Sequence, residues 1–282
     1  MTSGNKELLD LLIASGDDEA ELDLRILAEE YENGALEKAV MRRASGEPLA
    51  YILGYRHFYK ECCKVCPGVL IPRSDTETVV ESALRFLGIN DMAAGDLLNI
   101  TLYGKDLSDI RFADLCTGTG CIGVSLANEI VRAGGKAEGT LIDISDTAVE
   151  VAKANVISQA LRPADLKVVK GDILQGIKDI EKLDIIVSNP PYITDKEMEE
   201  LDRSVRDHEP DLALRAGLDG LGFYGPLLDT ALSLLKDGGA LIVEHGYGQG
   251  DAVREIFCSG GLKNCMTIRD IGSNPRVTIG FK

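Results

Sequence analysis

The sequence predicts a doubly wound α/β sheet, closed by a C-terminal antiparallel hairpin and preceded by a small helical domain. Three observations carry this. From residue 111 onward, short apolar runs alternate with segments of helical period, as in a mostly parallel sheet with helices on its faces. The last two runs, 263–269 and 276–281, are separated by a turn around Gly272 to Asn274, too short for a crossover, so they pair antiparallel. Residues 1–54, by contrast, carry helical periodicity.

Taken in order, Ala20, Leu24, Leu27 and Tyr31 form one apolar stripe, and Leu36, Ala39 and Val40 continue it in a further helix. Gly16, Gly34 and Gly46 are expected at helix ends, and Asp17 to Glu21 on an acidic outer face. This unit, 1–54, is either a stabilising cap or a docking module for a macromolecular substrate. Residues 55–71 form a linker hairpin. Tyr55, His57, Phe58 and Tyr59, then Cys63, Val65 and Val69 to Ile71, make two short strands around the Pro67-Gly68 turn. The third unit, 72–282, opens with a helix over 76–87, capped by Asp75, and a long surface loop over 90–108. Its strands are expected at 111–116, 139–143, 167–170, 184–188, 240–244, 263–269 and 276–281. Helices fall between most of them, at 122–133, 147–160, 223–235 and 251–258.

Composition excludes several classes. Lys and Arg number 30 against 46 Asp and Glu, a formal charge of −16 that opposes nucleic acid as a direct partner. No apolar run approaches the ~18 residues of a membrane span. Seven cysteines, an odd number, point to reduced thiols and a cytoplasmic setting. Cys62, Cys63 and Cys66 have no second Cys or His pair at zinc-site spacing, so no metal is expected.

The segment Asp114-Leu115-Cys116-Thr117-Gly118-Thr119-Gly120-Cys121-Ile122-Gly123 ends a strand and opens a helix, where glycines let backbone approach a ligand. Gly118, Gly120 and Gly123 also satisfy the dinucleotide pattern. Asp143, at the end of the next strand, stands where a ribose-binding carboxylate belongs. The loop therefore implies a nucleoside cofactor, and on this motif a nicotinamide competes. Asp114 suits the ammonium of a methionine moiety better than a pyrophosphate, with capping of the loop as its alternative role. After the third strand, Asp172 suits an adenine amino group as acceptor while Ile173 packs on the ring, with a simple turn as the alternative.

An apolar strand then runs into Asn189-Pro190-Pro191-Tyr192, at the sheet edge that forms the ligand crevice. The chemistry suits a planar NH2 group, whose nitrogen is a poor nucleophile. The Asn189 side-chain carbonyl and the Pro190 main-chain carbonyl accept its two N–H groups. The prolines, Pro190 and Pro191, hold that carbonyl still, and Tyr192 stacks on the plane. Transfer of a methyl group to such a nitrogen then depends on orientation, with no strong base.

Further stretches are Gly46-Glu47-Pro48-Leu49-Ala50-Tyr51-Ile52-Leu53-Gly54, Pro67-Gly68-Val69-Leu70-Ile71-Pro72-Arg73, Glu209-Pro210, Ala213-Leu214, Asp219-Gly220-Leu221 and Arg276-Val277. With the glycine loop and Ser188 to Ile193, the chain resembles the HemK/PrmC family, the peptide chain release factor N5-glutamine methyltransferases, over essentially its full length. Asn-Pro-Pro-Tyr by itself is shared with DNA adenine methyltransferases. The resemblance implies a Rossmann-like class I methyltransferase sheet and S-adenosylmethionine as cofactor. It also implies, as substrate, the Gln of the Gly-Gly-Gln loop in class I release factors, docked with the help of the N-terminal helices. By the family pattern Cys116, Thr117, Gly118, Thr119, Gly120, Asp143 and Asn189 touch the cofactor, Ile173 lies beside the adenine, and Asn189 to Tyr192 hold the glutamine. The chain departs from the family at Cys116, where Gly is usual, so the loop is expected to need no glycine conformation there. It departs also at Ser74, His208 and His245.

Overall fold

The computed structural model describes residues 3–89, 106–175 and 180–282. Four helices open the chain: α1 (Ser3–Ala14), α2 (Ala20–Glu30), α3 (Asn33–Ala44) and the short α4 (Leu49–Leu53). Leu12, Leu24, Leu27, Val40 and Ile52 form their common core, as the apolar stripe requires. Tyr31 ends the stripe by donating to the Ile52 carbonyl at 2.7 Å. Gly16 and Gly46 take left-handed φ of +84° and +96° just beyond α1 and α3. Gly34 differs from expectation and lies in the first turn of α3, because α2 has already stopped at Glu30. Asp17 also differs. Arg43 draws it, with Asp23, into ion pairs that leave both carboxylate side chains 4% exposed.

Strands β1 (Tyr55–Phe58) and β2 (Glu61–Lys64) pair antiparallel. Val69 to Ile71 do not continue as strand. Their polar backbone is taken up by side chains instead: Tyr51 Oη donates to the Val69 carbonyl at 2.6 Å, and Glu209 accepts from the Ile71 amide at 3.1 Å. Asp75 does not cap the next helix. It sits within a 3-10 turn, Ser74–Thr76, that leads into α5 (Glu77–Leu87), and its carboxylate pairs with Arg276 at 3.1 Å. The long loop expected over 90–108 falls mostly outside the described residues; a 3-10 turn, Leu107–Asp109, precedes the sheet.

The remaining elements are β3 (Ile110–Leu115), α6 (Cys121–Arg132), β4 (Ala137–Asp143), α7 (Asp146–Gln159), β5 (Asp165–Lys170), β6 (Leu183–Ser188), α8 (Asp195–Glu200), α9 (Arg203–Arg206), α10 (Asp211–Leu214), α11 (Tyr224–Leu234), β7 (Leu235–Glu244), α12 (Gly250–Ser259), β8 (Lys263–Arg269) and β9 (Pro275–Phe281). The sheet runs β5-β4-β3-β6-β7-β9-β8. Its first five strands are parallel, and β9 is antiparallel to both β7 and β8. The doubly wound sheet and its terminal hairpin are those the alternation predicts. β7 begins at Leu235 and not at 240, because Gly238 and Gly239 are absorbed in a register shift against β6 and do not end the strand.

Alternate residues of each strand face opposite apolar layers. Phe112, Ile185 and Val187 pack with Val80, Leu84, Val124 and Ile130 of α5 and α6. Ala113, Leu115 and Ile186 pack with Tyr224, Leu227 and Phe257 of α11 and α12. The strand order reverses between β3 and β6, which pair with Leu115 opposite Ser188. The next residues, Cys116 and Asn189, thus emerge side by side at the switch point, where such sheets bind ligands.

Candidate active site

The loop after β3 is held from below by Asp114. That side chain is 0% exposed, and its Oδ2 accepts from Thr117 Oγ1 at 2.6 Å and from the Gly123 amide at 2.9 Å. Burial pushes its carboxyl up to about 7. Asp114 does not line the cleft, and its hydrogen bonds are those of the capping role. Cys116, Gly118 and Gly120 all take positive φ, +58°, +55° and +81°. This corrects the expectation for Cys116: the backbone is left-handed there, a conformation glycine adopts freely and cysteine adopts at a cost of about 1–2 kcal/mol. Gly123 serves packing, since a Cβ on it would lie 2.9 Å from Leu141 Cγ and 3.1 Å from Asp114 Oδ2.

Asp143, at the end of β4, accepts from the Gly118 amide at 2.8 Å and the Ser145 amide at 2.9 Å, while desolvation raises its pKa. Asp172 follows β5, accepting from the Leu174 amide and from Gln175 Nε2, both at 2.9 Å. Ile173 beside it is buried against the cleft. Asn189 follows β6, and its Nδ2 donates to Thr76 Oγ1 at 3.1 Å, turning the side-chain carbonyl away from Thr76. Ser188 Oγ donates to the Leu115 carbonyl at 2.6 Å, locking the two strand ends together. Tyr192 is anchored at both ends: its hydroxyl donates to Glu244 Oε1 at 3.1 Å, and its carbonyl accepts from Gln249 Nε2 at 2.9 Å.

These elements enclose a cleft of roughly 1100 Å³, open to solvent. Cys116, Thr117, Gly118, Thr119, Asp143, Asp172, Ile173, Asn189 and Pro191 line it together. Gly120, Pro190 and Tyr192 lie behind or beside that wall. Sequence reasoning missed the rest of the wall: Leu70, Arg73 and Thr76 from the linker and the turn after it, and Leu212 and Phe223 from beyond β6. It missed Glu244 as well, although a carboxylate ending the apolar run Ala240 to Val243 was a usable signal there.

The model of the Methyltransferase small domain family matches residues 92–205. The release factor glutamine methyltransferase of Vibrio cholerae is 39% identical over 246 residues, covering 87% of this chain and 77% of the relative. The chain belongs to the release factor glutamine methyltransferase family. The same-named protein of Aliivibrio fischeri is 35% identical over 260 residues, covering 91% and 81% of the two chains. A solved structure, the hMettl16 catalytic domain in complex with the MAT2A 3′UTR hairpin, superposes with a TM-score of 0.55 at 15% identity, covering 92% of this chain and 91% of that one. At that identity it speaks for the fold, which is that of class I methyltransferases.

As a member of the family the protein is an S-adenosylmethionine-dependent methyltransferase, and its cleft fits that cofactor. A Cβ at Gly118 would meet nothing within 4 Å, so the loop backbone fronts open space. Carboxylates end β4 and follow β5, and Leu70, Ile144, Ile173 and Phe223 supply apolar wall for a purine. Among the described lining residues Arg73 is the one Lys or Arg, and Glu209 already pairs with it. A pyrophosphate would find little positive charge here, whereas a sulfonium and an ammonium are not opposed.

Proposed function

We propose that the protein methylates the side-chain amide nitrogen of the Gln in the Gly-Gly-Gln loop of class I peptide chain release factors. The observation that carries this reading is the placement of Asn189 beside the glycine loop with its NH2 spent on Thr76. That leaves an amide carbonyl as the acceptor facing an incoming amide.

S-adenosylmethionine supplies an electrophilic methyl group on a sulfonium. Asp143 receives the ribose hydroxyls, Asp172 and Ile173 receive the adenine, and Cys116 to Gly120 bring main-chain groups to the methionine end. Asn189 Oδ1 and the Pro190 carbonyl each accept one N–H of the glutamine amide, so the nitrogen lone pair is aimed along the line of attack. Pro190 and Pro191 limit backbone motion at that point, so little reorganises during transfer. Tyr192 shapes the side of the amide pocket from its anchored position. The surplus proton of the methylated amide passes to water, since an N-alkylated amidium is strongly acidic.

The helices of 1–54 dock the release factor, the linker 55–71 sets their distance from the cleft, and 72–282 carry the chemistry. The substrate is a protein met in the cytoplasm, with no direct role for nucleic acid; the net charge of −16 supports this. The test is mass spectrometry of a class I release factor incubated with the protein and S-adenosylmethionine. One added methyl on the Gln nitrogen is expected, and Asn189→Ala is expected to abolish it while cofactor binding persists. An unmodified peptide with the cofactor bound would overturn the substrate, and normal turnover by the variant would overturn the amide clamp.

A further inference from the structure

Glu244 ends β7 with 1% of its surface exposed, in a position that contacts neither cleft nor solvent. Its Oε1 accepts from Tyr192 Oη at 3.1 Å. Its Oε2 is buried and makes no hydrogen bond, and the Thr76 hydroxyl is near enough to favour the ionised carboxylate. A buried carboxylate oxygen left without a donor is costly, and a hydroxyl hydrogen rotates to meet such a need. Arg276 stands close by, held by Asp270 and Asp75 at 3.1 Å each, and its charge favours the ionised carboxylate.

Thr76 Oγ1 also sits 3.1 Å from Asn189 Nδ2. A hydroxyl has one proton and two lone pairs, and an ionised carboxylate only accepts. When the Thr76 proton turns to Glu244, only lone pairs remain toward Asn189, so the amide end that faces Thr76 must be the NH2. A carbonyl there would oppose two acceptors with no proton between them. The geometry points to a polarity relay in which Glu244 orients the Thr76 hydroxyl and Thr76 fixes the Asn189 amide with its carbonyl toward the substrate. The same carboxylate ties Tyr192, so it secures both ends of the four-residue turn. Glu244 and Thr76 are positioning residues; neither is required to touch the transferred methyl. This inference rests on the reading that Asn189 accepts an N–H of the substrate amide.

Two measurements test it. In release-factor methylation at about pH 8.5, where a carboxyl pushed up to about 7 by burial is ionised, Thr76→Val is expected to lower kcat on the order of ten- to a hundredfold. KM for the release factor and cofactor affinity stay within about threefold, and Thr76→Ser, which restores the hydroxyl, recovers most of the rate. A wild-type kcat in Thr76→Val, or no recovery in Thr76→Ser with folding and cofactor affinity intact, would overturn the relay. The second measurement needs no substrate. The Asn189 side-chain N–H resonances, assigned by their loss in Asn189→Ala, should show one downfield, slowly exchanging proton in the wild type and in Thr76→Ser, and none in Thr76→Val. Unchanged resonances in Thr76→Val sink the relay whatever the substrate proves to be. If the wild type shows the protected proton yet leaves the Gly-Gly-Gln peptide unmodified, the substrate assignment fails and the relay stands. Should Thr76→Val not fold, Glu244→Gln serves instead. Its NH2 competes for the Thr76 lone pair, so the protected Asn189 proton should weaken, and its full retention overturns the proposal.

Discussion

Cys116 occupies a left-handed conformation in the loop that fronts the cofactor cleft. Relief of that strain by glycine gains about 1–2 kcal/mol, and the extra freedom of glycine in the unfolded chain returns roughly 0.5–1 kcal/mol. Cys116→Gly is therefore expected to raise stability by up to about 1.5 kcal/mol, a rise of a few degrees in Tm. Cys116→Val, β-branched, should lower it by more than that gain. Thermal unfolding of the three proteins checks the order, and a Cys116→Gly protein less stable than wild type would refute the strain argument. A second residue-level effect concerns protons. Burial pushes the Asp114 carboxyl up to about 7, while in the unfolded chain it titrates near its ordinary 3.8. Between these values the folded state holds the extra proton, so this group's contribution to stability falls as pH rises across that window and levels off above about 7. The full effect is on the order of a few kcal/mol. Asp114→Asn, which keeps an acceptor for Thr117 and Gly123, should gain on wild type between about pH 5 and pH 8 in urea unfolding. An unchanged gap would mean that Asp114 is ionised throughout.

At the scale of elements, the strands were legible because apolar runs ending in Asp, Gly or Asn mark both the burial and the ligand edge. The glycine loop and the Asn189 turn were read from the chain for the same reason. What escaped were particular side-chain and loop contacts between residues distant in sequence. Val69 to Ile71 look like strand by composition, but Tyr51 and Glu209 take up their backbone, and they pair with no strand among the described residues. Asp75 looks like a cap, and Arg276, brought by β9, claims it first. Leu70, Thr76 and Phe223 give no local sign of lining a cleft. Close approaches of loops were equally hidden. Gly220, with φ of +71°, lets its loop press on the Tyr192 turn, and a Cβ there would lie 2.4 Å from the Tyr192 carbonyl oxygen. Gly123→Ala meets the flexible Leu141 side chain at 2.9 Å, whereas Gly220→Ala meets backbone and a disfavoured φ together. Gly220→Ala should thus cost more than the roughly 1–3 kcal/mol expected of overpacking at Gly123. Equal Tm values for the two variants would contradict the close approach.

Across the whole molecule, the linker is stitched to the segment after β6 by Glu209. Its side chain is 1% exposed and accepts from both Arg73 and the Ile71 amide. Glu209→Ala strands a buried amide and frees a guanidinium, with an expected cost of about 2–4 kcal/mol. Arg73→Ala should cost less, because the arginine is 38% exposed and water screens its charge. Limited proteolysis should cut 65–73 fastest in Glu209→Ala, and wild-type resistance in that variant would show that the stitch is dispensable.

Among the described residues, the strand order leaves β5 and β8 with one unpaired side each. A bare edge is a template on which another chain can add, and long flat apolar edges seed aggregates. Here β5 places Asp165, Lys167 and Lys170 around its exposed Val169, and β8 carries Lys263 and Arg269 at its ends with two register irregularities. Any strand added to either edge would have to bury those charges or follow a bent register. The sheet that builds the cleft is thereby guarded against edge-to-edge growth.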